Sequence, residues 1–323
     1  MISFEPSLEP FDLPEIEGWP AQRHQFDEEN IWAIKAALAT GRPLLVRGEP
    51  GTGKSQLARA AAQVMNRPFL YEVITSRVEV TDLLFELDAV ARLGEAQILG
   101  PSGLKEEEVR QALAFEKFIR PGKIWWAINW PGARVQAEMS GAFDPSIPEE
   151  AWKNGCVLLI DEIDKADAEL PNALLECFAN QSFQVPHLKT AVSRNPDQPP
   201  PLVVVTTNEE RELPAPFLRR CWVLHLDLEQ DESKLKVFLM NRGRVHFEPN
   251  YKDLSDFQSV LELAADRLIT DRRVSTQGGL HKPGQAEYLD LCRAVFEIAR
   301  QESKPAVEVL NKVAGFALRK NPR

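Results

Sequence analysis

The sequence has no long hydrophobic run. Its apolar stretches all fall well short of the ~20 residues that a membrane-spanning helix needs. The N-terminal stretch from Met1 to Pro6 also lacks the basic start and the long apolar segment of a signal peptide. We therefore expect a cytoplasmic protein with no membrane insertion.

Cysteine is scarce, and the four that are present follow no ligand or redox pattern. Cys156, Cys177, Cys221 and Cys292 form no CxxC pair and no Cys/His zinc spacing. Each lies in an apolar segment, which predicts buried free thiols in a reducing compartment. The sequence also offers no Ser/His/Asp arrangement and no His/Asp/Glu cluster with metal-ligand spacing. A catalytic triad or a zinc centre is therefore not expected.

Positive charge is in deficit. Lysine and arginine number 38 against 48 acids, which gives a formal net charge of −10 and a pI near 5.2. This balance disfavours a protein whose whole surface coats nucleic acid, but it leaves room for a local basic channel. Hydrophobic residues make up 44% of the chain, which is enough for a sizeable core.

Against these absences stands one glycine-rich stretch, GEPGTGKS at 48–55, which matches the pattern GxxxxGK[ST]. The apolar run 43–46 before it predicts a buried strand, and helix formers follow it at 56–65. In this setting the loop N–H groups and the positive end of the helix dipole face an anion. The pattern predicts a triphosphate site, with Lys54 on the β- and γ-phosphates and Ser55 on Mg²⁺. The predicted nucleotide-contacting residues of this stretch are Glu49, Pro50, Gly51, Thr52, Gly53, Lys54, Ser55 and Gln56.

A second apolar run, residues 156–160, ends in two acids. It predicts a buried parallel strand whose carboxyl end carries Asp161 and Glu162, at the edge where open α/β sheets bind ligands. We expect Asp161 to hold Mg²⁺ and Glu162 to polarise the attacking water. Another buried strand, 202–207, ends in Asn208, which is expected to orient that water. A turn-forming asparagine is the alternative.

Two adjacent arginines, Arg219 and Arg220, precede a strand predicted from Trp222 to Leu226. Arginine stabilises the charge of a transferred phosphoryl group, in cis or in trans. A solvated surface pair is the alternative interpretation.

The chain divides by composition. Residues 1–23 carry four prolines and many acids, which predicts an extended arm on a surface of this chain or of a neighbouring subunit. An α/β core is predicted over 24–228, and an all-helical domain over 229–323. Residues 75–153 exceed what a simple βαβ crossover needs, so we expect an insert over about 75–130.

Local patterns within these regions predict further elements. A charged helix is expected over 105–118, a Pro/Gly-rich loop over 129–148 and a hairpin over 181–200. Trp125 and Trp126 could grip a partner or pack on the core, and the packing interpretation is favoured. Helices of the C-terminal domain are predicted over 232–242, 254–268, 285–300 and 304–318.

Taken together, the motifs resemble the AAA+ ATPases. They are GEPGTGKS at 48–55, LLIDEIDKAD at 158–167, VVTTN at 204–208 and LPAPFLRRC at 213–221. Within this family, RPGKIWWA at 120–127 is similar to the segment that closes the helix-2 insert of the MoxR-like group, and KPGQAEYLDLCRA at 282–294 is similar to the sensor-2 segment at the head of a lid helix. The resemblance implies a P-loop NTPase fold, a parallel five-stranded αβα sandwich followed by a small helical lid.

The resemblance also implies roles for the matching positions. These are Walker A for Lys54 and Ser55, Walker B for Asp161 and Glu162, sensor 1 for Asn208, and the arginine finger for Arg220, with Arg219 as the fallback. Lys282 stands where sensor 2 usually has an arginine, and lysine lacks the bidentate fork.

The leading hypothesis is an ATP hydrolase of MoxR type that uses ATP and Mg²⁺. It is expected to form a ring homo-oligomer, a hexamer, and to remodel or activate a protein partner such as a von Willebrand A-domain protein. Two alternatives stay open. One is a nucleic-acid motor subunit of McrB-like or clamp-loader-like type, against which the acidity speaks. The other is an ATP-dependent assembly switch in a bacterial defence system.

Overall fold

A computed structural model describes residues 4–16, 18–101, 103–143, 150–188, 190–278 and 282–318. The chain divides into two compact units. One unit holds Ile31–Val46 and Ala61–Leu224, and the other holds Glu5–Asn30, Arg47–Ala60 and the C-terminal region from His225 onward. No helix within the described ranges is long and apolar enough to cross a membrane.

The described strands, in chain order, are β1 (Phe11–Leu13), β2 (Gln22–His24), β3 (Leu44–Arg47), β4 (Phe69–Val73), β5 (Phe85–Leu87), β6 (Ile119–Pro121), β7 (Val157–Asp161), β8 (Ser182–Val185), β9 (Thr190–Ser193), β10 (Leu202–Thr207) and β11 (Trp222–His225). The described α-helices are α1 (Glu28–Thr40), α2 (Lys54–Val64), α3 (Val80–Leu84), α4 (Ala89–Leu99), α5 (Glu106–Ala112), α6 (Lys123–Ile128), α7 (Trp130–Met139), α8 (Glu169–Asn180), α9 (Ala215–Leu218), α10 (Glu232–Tyr251), α11 (Phe257–Gly278), α12 (Gln285–Glu302) and α13 (Ala306–Leu318).

The first unit is built on a parallel five-stranded sheet with the strand order β11-β3-β10-β7-β4. Strands β7 and β10 pair in parallel, from Val157 opposite Leu202 to Ile160 opposite Val205. Both strands are apolar and buried along almost their whole length, as a parallel sheet covered by helices requires. The predicted fold, a parallel α/β sheet with a helical C-terminal region, is confirmed.

The described residues between β4 and β7 are mostly helical and include one short antiparallel pair, β5 with β6. Trp125 is 5% exposed, and its ring packs edge-on against Phe183 with the centroids 5.9 Å apart. Trp126 is half-buried against the same core and packs edge-on against Trp130. The packing interpretation of Trp125 and Trp126 is therefore confirmed. The helix predicted over 105–118 is shorter than expected, because α5 is followed by a separate 3₁₀ turn.

The loop predicted over 129–148 is wrong in its first part, because α7 occupies that position. The Asn129 side chain accepts a hydrogen bond from Gly132 N at 2.9 Å and so caps the helix. Pro131 lies in the first turn, where its missing N–H has no intrahelical partner to lose. Residues 144–148 of the predicted loop lie outside the described residues. Further along the chain, β8 and β9 form the antiparallel hairpin that was predicted there.

The C-terminal helices α10–α13 pack around a core of their own. Leu239, Tyr288 and Phe296 are fully buried in it, and the Tyr288 hydroxyl donates to the Leu261 carbonyl at 3.1 Å. Helices α10 and α11 both run about ten residues beyond their predicted ends.

The N-terminal arm forms a short antiparallel hairpin, β1 with β2, in which Phe11 lies opposite His24. The rings of Phe11 and His24 both pack on Phe26, at centroid distances of 5.7 and 4.7 Å. Strand β2 contacts α10, and Arg242 Nη1 donates to the Gln25 carbonyl at 3.1 Å. The arm was expected to lie on a surface of this chain or of a neighbouring subunit, and here it contacts α10 of its own chain.

Candidate functional site

The glycine-rich loop joins β3 to α2, which begins at Lys54. Three of its glycines have positive φ angles, with Gly48 at 149°, Gly51 at 77° and Gly53 at 93°. Residues with a side chain rarely adopt such angles, so the glycines let the backbone turn tightly into the helix. The strand–loop–helix setting expected for this motif is therefore present.

Lys54 is buried within its own loop. The residue is 6% exposed, and its ammonium donates to the carbonyl oxygens of Gly48 and Glu49, each at 2.8 Å. The Thr52 hydroxyl donates to the same Glu49 carbonyl at 2.9 Å. These bonds hold the loop in a closed curve around a fixed positive charge.

Two of the glycines are required by close neighbours as well as by φ. A Cβ on Gly48 would lie 2.5 Å from the carbonyl oxygen of Leu226, and a Cβ on Gly51 would lie 2.8 Å from the Cβ of Ala286. Ala286 N also donates to the Gly51 carbonyl at 3.1 Å. The start of α12 therefore rests directly on the loop.

An arginine that the sequence motifs did not mark also contacts this loop. Arg272, in α11, donates from Nη2 to the Glu49 carboxylate at 2.8 Å and from Nη1 to the Pro283 carbonyl at 2.8 Å. Lys282, predicted from sequence as a nucleotide contact, is half-buried in the short segment before α12. The helix predicted over 254–268 ends before Arg272, so the sequence analysis gave no reason to select this arginine.

The acidic pair lies at the carboxyl end of β7, where Asp161 is the last strand residue. The Thr206 hydroxyl in the adjacent β10 donates to the Asp161 carboxylate and accepts from Glu162 N at 2.9 Å. Glu162 has φ 60°, in the left-handed region. The chain therefore turns sharply after β7, and Glu162 does not continue the direction of the strand.

The Glu162 carboxylate is held from two sides. Asn208 Nδ2 donates to one oxygen at 3.1 Å, and Lys165 Nζ donates to the other at 2.5 Å. The bond to Glu162 raises the pKa of Lys165. Two residues selected from the sequence for one reaction, Glu162 and Asn208, are thus in direct contact.

Asp164 lies within the quoted stretch 158–167, but the sequence analysis gave it no role. It is 2% exposed and lies in a 3₁₀ turn after Glu162. Its carboxylate accepts from Asn208 N at 3.2 Å and from Glu210 N at 2.9 Å. This carboxylate fixes the backbone of the loop that carries Asn208.

Arg219 and Arg220 follow α9 and are both exposed. The Arg220 amide donates to the Phe217 carbonyl at 3.0 Å, and the Phe217 side chain is fully buried. The backbone is therefore anchored, whereas the two guanidinium groups make no salt bridge to any described residue.

The donors of the glycine-rich loop suit phosphate, and the acid at the end of β7 suits a hard cation. Helix α2 has 11 residues, and its first N–H groups have no intrahelical partner, so they suit phosphate oxygens. The Ser55 hydroxyl and the Asp161 carboxylate are the hard oxygen ligands that Mg²⁺ prefers. Among the described residues no three His, Cys, Asp or Glu side chains could hold a metal together. Mg²⁺ needs no such cage, because phosphates and water complete its shell.

The chain is similar to a known protein family and to solved structures. A family model described as AAA domain (dynein-related subfamily) matches residues 43–221, more than half of the 323-residue chain. Among solved structures, a "putative ATPase" from Cytophaga hutchinsonii is 17% identical with a TM-score of 0.39, over 90% of this chain and 79% of its own. The P216G mutant of RuvB from Thermotoga maritima is 16% identical with a TM-score of 0.45, over 91% of this chain and 69% of its own.

Proposed function

The chain belongs to the AAA domain family, dynein-related subfamily, and from this premise we propose that it is an ATP hydrolase that uses ATP and Mg²⁺. We place it in the MoxR type because of the segments at 120–127 and 282–294. In this proposal, hydrolysis in a ring homo-oligomer, a hexamer, drives the remodelling or activation of a protein partner in the cytoplasm.

One observation carries the proposal: Asn208 donates to the carboxylate of Glu162 at 3.1 Å, although the two residues lie 46 positions apart. An amide beside a carboxylate at a strand end can orient a water molecule while the carboxylate accepts its proton. A structural asparagine in a turn needs no such partner. The contact therefore supports sensor 1 and general-base roles for this pair.

The other residues bind and position the substrate. Lys54 and the N–H groups of the glycine-rich loop hold the phosphates, and Ser55 and Asp161 hold the metal shell. Bound Mg²⁺ neutralises the charge that develops on the phosphate oxygens. The Thr206 hydroxyl keeps the Asp161 carboxylate in place.

Two cations complete the proposed site. Arg220, exposed on an anchored backbone, extends to the nucleotide of a neighbouring subunit and stabilises the transferred phosphoryl group. Lys282 contacts the nucleotide from its own chain as the sensor-2 residue.

We predict that Glu162→Gln retains ATP with Mg²⁺ but lowers kcat by about 10²- to 10³-fold, because the amide keeps the side-chain shape and removes the base. Lys54→Ala is expected to weaken ATP binding by about tenfold or more, because it removes the buried ammonium. Calorimetric binding and phosphate release measure the two quantities.

Glu212→Gln is the matched control for this test, because Glu212 is an exposed acid outside the site. Its binding and turnover should equal those of the unmodified protein. Full turnover by Glu162→Gln, or ATP binding by Lys54→Ala as tight as that of the control, would overturn the proposal.

A further inference from the structure

The glycine-rich loop carries a negative charge of its own, at Glu49. This carboxylate stands in a loop that the proposed function assigns to a triphosphate, and like charges repel each other. Its partner is Arg272, whose Nη2 lies 2.8 Å from Glu49 Oε2. The Arg272 side chain is 11% exposed and that of Glu49 is 35% exposed, so solvent screens this pair less than an ordinary surface pair.

Arg272 makes a second bond that joins two segments. Its Nη1 donates to the Pro283 carbonyl at 2.8 Å, while Nη2 remains on Glu49. A guanidinium can make both bonds because its donors point in fixed, diverging directions, whereas a lysine ammonium is a single point charge. Arg272 therefore ties the glycine-rich loop to the residues that lead into α12.

The contact is reinforced beside Arg272. Ala286 N donates to the Gly51 carbonyl at 3.1 Å, and a Cβ on Gly284 would lie only 3.1 Å from the Pro50 carbonyl oxygen. The Gly284 amide in turn donates to Glu287, which fixes the first turn of α12. Contacts at Glu49, Pro50 and Gly51 therefore join the loop to Arg272 and to the first turn of α12.

We propose that Arg272 is a positioning residue for the nucleotide, which neutralises Glu49 and holds the glycine-rich loop in the conformation that receives phosphate. The inference rests on the proposed ATP binding, and it adds a residue outside the Walker and sensor motifs. Arg272 reaches the loop from α11 and acts through Glu49. Loss of Arg272 leaves Glu49 unpaired beside the phosphates and frees the loop from the start of α12.

Arg273 provides a matched control. It is the next residue of the same helix, and it pairs with Glu232 at 2.5 Å with side-chain exposures of 60% and 51%. Such exposed pairs contribute little to stability or binding. Arg273→Ala therefore removes an arginine and a salt bridge from α11 without touching the glycine-rich loop.

The test compares Arg272→Ala, Glu49→Ala, the double variant and Arg273→Ala. We expect Arg272→Ala to raise Kd and KM for ATP with Mg²⁺ by about tenfold, with kcat changed by less than about threefold, because the bonds to Glu49 and Pro283 are lost and the catalytic carboxylate is untouched. The double variant should bind ATP no more weakly than Arg272→Ala, since the repelling carboxylate is gone too. Arg272→Lys should fall between the unmodified protein and Arg272→Ala.

A second measurement needs no nucleotide. Hydrogen exchange of the backbone amides of residues 48, 49 and 51–53 should be faster in Arg272→Ala than in Arg273→Ala, and the double variant should match Arg272→Ala. The proposal is overturned if the two arginine variants agree in exchange and in Kd, or if the double variant binds ATP more weakly than Arg272→Ala. If the unmodified protein does not bind ATP, the proposed function fails, while the exchange measurement still decides whether Arg272 holds the loop.

Discussion

At the scale of single residues, the site depends on how carboxylates are restrained. Glu162 adopts a left-handed backbone conformation that costs a residue with a side chain about 1 kcal/mol. Bonds from Asn208 and Lys165 to its carboxylate hold this conformation. This turn directs the Glu162 side chain away from the strand and towards the loop after β10.

We predict that Asp164→Ala destabilises the protein by about 2 kcal/mol or more, because two backbone N–H groups lose their acceptor in a buried place. Turnover should also fall, because Asn208 is no longer held against Glu162. Asp164→Asn, which keeps one acceptor oxygen, should lose less. Chemical denaturation and steady-state ATPase rates measure both effects.

Asp167→Ala serves as the control for Asp164, because Asp167 is an exposed acid in the same short segment. Its stability and turnover should stay within experimental error of the unmodified protein. Equal stability of the Asp164 and Asp167 variants would show that Asp164 does not support this loop.

These residues also show which members of the candidate site can be predicted from the sequence. Asp161, Glu162 and Asn208 follow apolar runs that end at one edge of a parallel sheet, so their position alone suggested a ligand site. Asp164 and Arg272 carry no such signal. Each is defined by a partner distant in sequence, and neither a buried N–H nor an opposing charge can be located before the fold is known.

At the scale of elements, the periodic segments were predictable and their ends were not. Strands β3, β7, β10 and β11 and the four C-terminal helices were predicted from apolar spacing, which reports which face is buried, whereas β1, β2, β5 and β6 were not predicted. Helix α10 continues past its predicted end at Arg242 with Pro249 inside it, because Phe247 and Tyr251 are buried in the helical core. Packing there outweighs the cost of the proline.

Two buried histidines, one in β2 and one in α10, make the stability of the protein depend on pH. His24 of β2 packs edge-on against Phe26, and its Nε2 is buried without a hydrogen-bond partner among the described residues. Burial, together with the nearby charge of Arg242, lowers the pKa of His24 to about 3 and that of His246, in α10, to about 4. Both histidines are therefore neutral in the folded protein at pH 7.

The unfolded chain takes up protons at each histidine near pH 6.5, whereas the folded protein does so only near pH 3 to 4. Stability from these groups is therefore complete above pH 6.5 and is lost as the pH falls from 6.5 towards 4, by on the order of 1 kcal/mol per pH unit and histidine. We predict that His24→Phe flattens this dependence and that the exposed His225→Gln does not. Denaturation at pH 7, 6 and 5 compares the slopes, and equal slopes for His24→Phe and the unmodified protein would contradict the prediction.

At the scale of the whole molecule, two exposed arginines on an acidic chain suggest how copies of the protein assemble. The chain carries a formal charge of −10, yet Arg219 and Arg220 stand exposed together on a backbone anchored by buried Phe217. Two adjacent cations on an acidic protein suit an anionic target better than a generic surface. In the proposed ring that target is the triphosphate held by the next copy.

A ring in which each site combines Glu162 of one copy with Arg220 of its neighbour predicts complementation. Glu162→Gln and Arg220→Ala should each bind ATP and turn over poorly when pure. In an equal, randomly mixed assembly, about a quarter of the sites would join an intact Glu162 to an intact neighbouring Arg220, so about a quarter of the full rate should return. Phosphate release from the mixture, after the copies have exchanged, measures this recovery.

The identity of the arginine is tested in the same way, by replacing Arg220→Ala with Arg219→Ala. If Arg220 is the finger, Arg219→Ala alone keeps most of its turnover, and mixing it with Glu162→Gln gives no recovery above the activity of Arg219→Ala itself. If Arg219 acts instead, the two variants exchange behaviour. A mixture of Glu162→Gln and Arg220→Ala that shows only the sum of the separate rates would remove action between subunits, because no site could then gain a residue from its neighbour.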